Sequence, residues 1–153
     1  MERVKPHTAI LNGPQSEAKS VLTESSGELK PVFAKYGEAA IGGFQAVPDL
    51  LLKNQAKLGI SPTDMVVLLN VLMHWWYPAN KPFPRSGSIS KRIGVTPRTV
   101  QRSIINLEKA GLLIRETSEG RTYLNPKPLV DRLEEIAPTD KDYLYRKGRM
   151  NAA

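Results

Sequence analysis

The residues best suited to bind another molecule lie in GVTPRTVQRS, residues 94–103. Arg98 and Arg102 are four positions apart, so they project from the same face of a helix, and Gln101 lies beside them. Arginine and glutamine side chains make paired hydrogen bonds to the edges of guanine and adenine in the major groove of DNA. We therefore interpret this stretch as a surface that contacts base edges.

Other polar side chains extend this candidate surface. Lys91 and Arg92 precede the stretch and are suited to hold the DNA backbone without reading its sequence. Arg121, beside Gly120, is placed to reach a phosphate or the minor groove. The predicted DNA-contacting set is Lys91, Arg92, Thr96, Arg98, Thr99, Gln101, Arg102, Asn106 and Arg121. The alternative interpretation is an ordinary solvated helix face.

The charge distribution along the chain supports the first interpretation. The chain has 153 residues and a net charge of +7. Residues 81–115 contain eight Lys or Arg and a single acidic residue, Glu108, so this segment carries the whole excess and the rest of the chain is neutral. We call residues 81–115 the basic zone. A basic zone on a neutral background is typical of a protein that binds a polyanion.

The sequence lacks the motifs that are typical of several other classes of protein. The chain has no cysteine, which excludes disulfides and thiolate metal sites. His74 has no second ligand at metal-binding spacing, and we expect it to be packed or on the surface. No phosphate-binding glycine loop, nucleophile elbow or HExxH motif occurs, so we expect neither an enzyme nor a cofactor. The longest apolar run, MVVLLNVLM, is too short to cross a membrane, and residues 1–30 lack a signal peptide, which predicts a soluble, cytoplasmic protein.

The sequence predicts helices that would position the basic surface. Ser61 caps a helix whose apolar stripe runs from Met65 to Trp76, and Val66, Val67 and Val71 make it apolar nearly all round. We expect it to be the buried central helix, with Trp75 at the edge of the core. A short helix follows over residues 86–93, and Gly94 ends it. Thr96 then caps a helix over 97–110 that begins with Pro97.

The remaining segments complete the predicted organisation. LLIRET, SEG and RTYLN form a β-hairpin with Gly120 in its loop, and amphipathic helices cover 48–58 and 127–136. The segment PANKPFP is too rich in proline for a helix and could form at most a short edge strand around Phe83. Residues 1–43 are predicted to be a flexible arm, 44–137 the domain with its flanking helices, and 138–153 a polar tail.

A helix, a glycine turn, a second helix and a hairpin follow one another in the order of a winged helix-turn-helix, so the predicted fold is mainly α with a small β-hairpin. The segment FPRSGSISKRIGVTPRTVQRSIINLEKAGLLIRE resembles the winged helix-turn-helix domains of bacterial GntR-type regulators and the helix-turn-helix modules of plasmid and phage replication initiators. The resemblance rests on Pro84, Ile89, Ile93, Gly94, Val95, Thr99, Val100, Leu107, Gly111 and Leu112. It implies DNA binding through helix 97–110 and the hairpin. The effector domain of GntR-type regulators has no counterpart after the hairpin, so we expect no small-molecule effector.

Three functions remain open from the sequence. The first is a sequence-specific double-stranded DNA-binding protein that regulates transcription. The second is a replication-initiation or mobile-element factor that uses the same chemistry. The third is a winged-helix module that binds another protein and not DNA. We also expect a homodimer, because single modules contact only a few base pairs. Helices 48–58 and 127–136 are the candidate dimer surfaces, because their apolar stripes exceed what the small core needs.

Overall fold

The computed structural model describes the backbone of residues 26–153 and the side chains of residues 31–153. The chain divides into two compact units, Met1–Phe44 and Gln45–Ala153. In the first unit, helix α1 spans Ser26–Tyr36 and a 3-10 helix spans Gly37–Gly42. The flexible arm predicted for residues 1–43 is thus helical over 26–42, where the scattered apolar residues gave no periodic signal. The first 25 residues of that prediction lie outside the described residues.

The second unit contains seven α-helices and one hairpin within its residues. Their bounds are α2 Asp49–Lys53, α3 Gln55–Leu58, α4 Pro62–Leu72, α5 Ser86–Ile93, α6 Pro97–Lys109, β1 Ile114–Ser118, β2 Arg121–Asn125, α7 Lys127–Ile136 and α8 Lys141–Ala152, with a 3-10 helix at Ala137–Thr139 before α8. This is the predicted winged helix-turn-helix: a three-helix core of α4, α5 and α6, a β-hairpin wing, and flanking helices.

Helix α4 lies at the centre of this unit but is buried on one side only. Ser61 and Asp64 form the predicted capping box at its start. Val67, Leu68 and Val71 are completely buried, whereas Val66 and Met73 are exposed. The helix ends at Leu72, earlier than the apolar pattern indicates, and Trp76 beyond it is 46% exposed. The prediction that Trp76 continues the buried stripe is therefore wrong, while Trp75 is half-buried as expected.

The helix predicted over residues 48–58 is interrupted in the structure. Asn54 leaves helical geometry, with φ −112° and ψ 18°, and separates α2 from α3. Its side-chain Nδ2 donates a hydrogen bond of 2.8 Å to the Leu50 carbonyl oxygen. Because the asparagine amide competes for backbone acceptors, it favours such a break over a continuous helix.

The turn between α5 and α6 follows the sequence prediction. Gly94 adopts the left-handed conformation, with φ 71°, directly after α5. Ile89, Val100 and Ile104 are buried in one core, and Ser90 lies at the close approach, its hydroxyl donating to the Gly87 carbonyl oxygen at 2.9 Å. The steep exit of the chain at Gly94 therefore turns the opposite face of α6 toward solvent.

The hairpin forms the wing. Strands β1 and β2 are antiparallel, with Ile114 opposite Asn125 and Ser118 opposite Arg121. The two-residue loop contains Glu119 at φ 49° and Gly120 at φ 72°, as a type I′ turn requires. Instead of the edge strand predicted around Phe83, one backbone hydrogen bond of 2.8 Å runs from the Leu124 N–H to the Pro82 carbonyl oxygen.

The C-terminal part of the chain differs most from its prediction. Leu129, Leu133 and Ile136 of α7 are buried in the core, as the periodicity indicates. Residues 141–152, predicted to be part of a polar tail, form helix α8 instead. Asp140 caps α8 by accepting a hydrogen bond from the Tyr143 N–H at 2.8 Å. Among the described residues, no helix is both long and apolar enough to span a bilayer.

Candidate nucleic-acid interface

Local hydrogen bonds fix the start of helix α6. The Thr96 hydroxyl oxygen accepts a hydrogen bond of 3.2 Å from the Thr99 N–H, and Pro97 occupies the first helical position. The Thr96 and Thr99 hydroxyls also lie 3.0 Å apart and share a hydrogen bond. Both threonines, predicted as DNA contacts, therefore take part in the start of the helix. Their hydroxyls already have a hydrogen-bond partner within the protein.

The outward face of α6 is a stripe of cations with one apolar side chain. At 100° per residue, Arg98, Arg102, Ile105 and Lys109 share this face, and all four are exposed. The three cations have no salt bridge with any residue that the structure describes. We call these four residues the α6 stripe. Sequence reasoning placed Arg98 and Arg102 on it but missed Lys109, which the spacing of seven from Arg102 would have revealed.

Asn106 does not belong to the α6 stripe. Its side-chain Nδ2 donates to Asp64 Oδ1 at 3.4 Å, across 42 residues of sequence. Asp64 is 5% exposed and also accepts a hydrogen bond of 3.1 Å from the Ser61 N–H. The Asn106 amide therefore ties α6 to the start of α4, and its contact with a base stays a prediction.

Asp64 stays ionised in this buried place because of its hydrogen bonds. Burial pushes the pKa of the carboxyl upward, but hydrogen bonds from Ser103, Ser61 and Asn106 together outweigh it, and the net pKa is below the usual value. The carboxylate therefore anchors α6 to α4 and sets the direction in which the α6 stripe points.

The two residues of α5 that are predicted to contact the DNA backbone differ in their partners within the protein. Lys91 is exposed and forms no salt bridge with a described residue. Arg92 Nη1 donates a hydrogen bond of 3.2 Å to His74 Nε2. This bond requires a neutral His74, and burial, followed by the nearby Arg92 charge, lowers the pKa of His74. Arg92 is thus partly engaged within the fold, whereas Lys91 is available.

Contacts at the wing hold two arginines in place. The Arg121 guanidinium lies over the Phe83 ring, 5.5 Å from its centroid, and the Tyr123 ring meets Phe83 edge-on at 5.6 Å. Arg115 binds Glu108 through two hydrogen bonds, of 3.1 and 3.0 Å. This bidentate pair joins β1 to α6, so the wing and the α6 stripe are held in one arrangement.

A cleft lies between the start of α5, the middle of α6 and the wing. It has a volume of about 650 Å³, and Arg85, Gln101, Arg115 and Arg121 are among the side chains on its walls. Gln101, predicted to read bases beside Arg98, therefore faces the wing side of α6. Arg85 was missed as a site residue, although its place in the basic zone was a signal for it.

Comparison with known proteins agrees with this geometry. Residues 58–113 match the family model described as "Helix-turn-helix domain". A solved structure, the N-terminal domain of DnaD protein from Geobacillus kaustophilus HTA426, is similar in fold, with a TM-score of 0.50 and 22% sequence identity. The similarity covers 78% of this chain and 96% of that chain. No curated protein sequence matches the chain significantly.

These findings agree on the fold and on the extent of the module. The family match covers α4, α5 and α6, and the hairpin that follows is the wing. The more specific resemblance to GntR-type regulators stays a prediction. Residues 58–113 have the fold of a helix-turn-helix domain, and together with the hairpin that follows they form a winged helix-turn-helix.

Proposed function

We propose that this protein binds double-stranded DNA, with helix α6 in the major groove. The α6 stripe carries the proposal: Arg98, Arg102 and Lys109 lie on one exposed face without a counter-charge from the described residues. On α7, by contrast, both cations are paired with carboxylates, in the pairs Lys127–Asp131 and Arg132–Glu135. A helix face left uncompensated in this way attracts a polyanion.

The contacts divide by chemistry into those that read and those that position. In the proposal, Arg98 and Arg102 donate hydrogen bonds to guanine edges, and Ile105 contacts a thymine methyl group beyond Arg102. Lys91 contacts a phosphate, which fixes the register of the module without reading sequence. Arg121 contacts the backbone beside the wing. Sequence specificity should therefore depend on the middle of α6 and overall affinity on α5 and the wing.

Two biological roles fit this chemistry, namely regulation of transcription and marking of a replication origin or mobile element. We keep regulation of transcription as the first proposal and replication initiation as the second. Both require sequence-specific binding, and the genomic position of the bound sites separates them. Sites within promoters support the first, and clustered sites at an origin support the second.

A homodimer remains part of the proposal because one module covers only a few base pairs. The apolar stripes of the two predicted dimer helices are not available for a partner. Their residues Leu51, Leu58, Leu129 and Leu133 are all buried in the protomer's own core. Leu52 is the large apolar side chain of α2 that stays exposed. A palindromic binding site together with a dimer in sedimentation would support the homodimer, and a single half-site bound by a monomer would contradict it.

Selection of binding sites from a random duplex pool tests the proposal. The wild-type protein should enrich a short motif, and the Arg98→Ala and Arg102→Ala double variant should enrich none. Arg146→Ala, which removes an exposed cation from α8, is the matched control and should select the wild-type motif. Failure of the wild-type protein to retain any duplex would instead favour a winged-helix module that binds another protein.

A further inference from the structure

The cleft beside the wing is lined by three arginines and no acidic residue. Arg85 lies at the start of α5, Arg115 on β1 and Arg121 on β2, so three separate elements contribute an arginine to the walls of one opening. Cations on such walls that have no carboxylate partner attract an anion. The walls are also polar at Gln101, Ser86 and Thr122, which can donate further hydrogen bonds.

The three arginines are not equally available. Arg115 is held by its bidentate pair with Glu108. Arg85 and Arg121 form no salt bridge within the part of the chain that the structure describes, and both are exposed. The anion would therefore contact Arg85 and Arg121, which have no carboxylate partner among the described residues, while Arg115 remains paired with Glu108.

The residues around Arg85 and Arg121 also favour binding of an anion. Phe83 lies under the Arg121 guanidinium, and Tyr123 packs against the ring edge, so Arg121 is oriented before any ligand arrives. On the opposite wall, α5 begins at Arg85 with no side-chain cap and no acidic residue in its first turn. The planar donors of a guanidinium match the oxygens of a phosphate group.

We propose that this cleft holds a phosphodiester group of the bound DNA strand between Arg85 and Arg121, with Phe83 as the positioning residue for Arg121. The inference rests on the proposed function, and it adds a second anchoring point beside the α6 stripe. The cleft contacts the DNA backbone alone, so it adds affinity for any duplex without reading its sequence.

The salt dependence of duplex binding measures this contact. Each phosphate contact contributes about 0.9 to the slope of log affinity against log salt concentration. Arg85→Ala and Arg121→Ala should each flatten the slope by about one contact, and the double variant by about two, with the preference for specific over random DNA retained. Arg146→Ala changes the net charge equally from α8 and should leave the slope near that of the wild-type protein.

A double-mutant cycle tests the role of Phe83. Phe83→Leu keeps an apolar side chain but removes the ring face beneath Arg121, so we expect weaker duplex binding in the wild-type background. In the Arg121→Ala background the same substitution should have no effect, because the guanidinium that it positions is gone. Equal losses in both backgrounds would overturn the positioning role, since they would show that Phe83 acts on the fold alone.

A free phosphate anion could bind the same cleft in place of a DNA phosphodiester group. Inorganic phosphate and pyrophosphate are titrated into the protein without DNA, with the amide signals of Gly87 and Gly120 followed by NMR. Saturable binding that Arg85→Ala abolishes, combined with an unchanged salt slope for DNA, would overturn the inference in favour of a small-anion site. A wild-type protein that binds no duplex overturns the proposed function and this inference together, whereas unchanged slopes in a protein that binds DNA overturn the inference alone.

Discussion

At the residue scale, the candidate interface contains two kinds of side chain. Some are free to contact DNA, and others already have partners within the fold. Arg98, Arg102 and Lys91 are exposed without a salt bridge to a described residue. The Asn106 amide and the Thr99 hydroxyl have partners inside the protein. Residue types alone could not make this distinction, because the partner of Asn106 lies 42 positions away. The caps were predictable since their partners are three residues apart.

Substitutions in the α6 stripe and in α5 should therefore act differently on binding. Arg98→Ala or Arg102→Ala should cost roughly 1–3 kcal/mol of specific binding and relax base preference. Lys91→Ala should weaken specific and random duplexes alike and flatten the salt slope by about one contact. Competition assays with specific and random duplexes measure both effects. Equal losses on the two duplexes for all three variants would contradict the division into reading and positioning.

His74 should make stability depend on pH. Burial and Arg92 lower its pKa in the folded protein, so below about pH 6.5 the unfolded chain takes up a proton that the folded chain does not. The free energy of unfolding should therefore fall as pH is lowered through that window and stay level above it. Arg92 would also lose its acceptor on His74 when the ring is protonated.

Urea denaturation between pH 8 and pH 5 checks this expectation against variants. His74→Gln has no titrating ring, so the wild-type free energy of unfolding should decline toward acid relative to this variant. His7→Gln removes the other histidine of the chain and serves as the control, with the wild-type pH dependence expected. Parallel curves for wild-type protein and His74→Gln would show that the ring is not held neutral by the fold.

At the element scale, the sequence identified the helices that have local signals. Helix α5 and the start of α6 lie where their caps and terminating glycine predict them. Helix α8 was not predicted, because most of its residues are polar and none of them is buried. Ion pairs of 3.2 and 2.6 Å join Lys53 of α2 to Asp140 and Asp142 at the start of α8. Such partners, nearly 90 residues apart, leave no periodic pattern in the sequence.

The two glycines of the α5 segment provide a matched test of the turn. Gly94 has φ 71°, and an added Cβ would meet no atom within 4 Å, so Gly94→Ala is strained by the backbone conformation alone. We expect a loss of roughly 1–2 kcal/mol in the free energy of unfolding. Gly87 lies within the helix with similarly open space, and Gly87→Ala should stabilise by about 0.5–1 kcal/mol.

Thermal or urea unfolding of both variants gives the comparison directly. Opposite signs for the two substitutions would confirm that Gly94 is required by its conformation and not by crowding. Destabilisation of equal size at both positions would show that the open space around them is filled in solution, which contradicts the turn geometry described above.

At the scale of the whole molecule, the position of charge along the chain indicates the candidate interface better than overall composition does. The net charge of +7 is confined to the basic zone, and the fold pairs Lys81 with Glu116 and Arg115 with Glu108 there. The cations of the zone that remain come from α5, from Arg85 just before it, and from α6, while Arg121 of the wing lies outside the zone. Which of them stay unpaired depends on packing between distant segments, so the basic zone was predictable and the membership of the interface was not.

Duplex binding at two salt concentrations tests the central claim most directly. Fluorescence anisotropy of a labelled random-sequence duplex is measured with the wild-type protein at about 50 and 200 mM salt. We expect binding at the lower concentration that weakens steeply at the higher one, with a slope of about −3 or steeper for contacts by Arg85, Lys91 and Arg121. Absence of binding at low salt, or an affinity that salt does not change, would contradict the assignment of this winged helix-turn-helix to DNA.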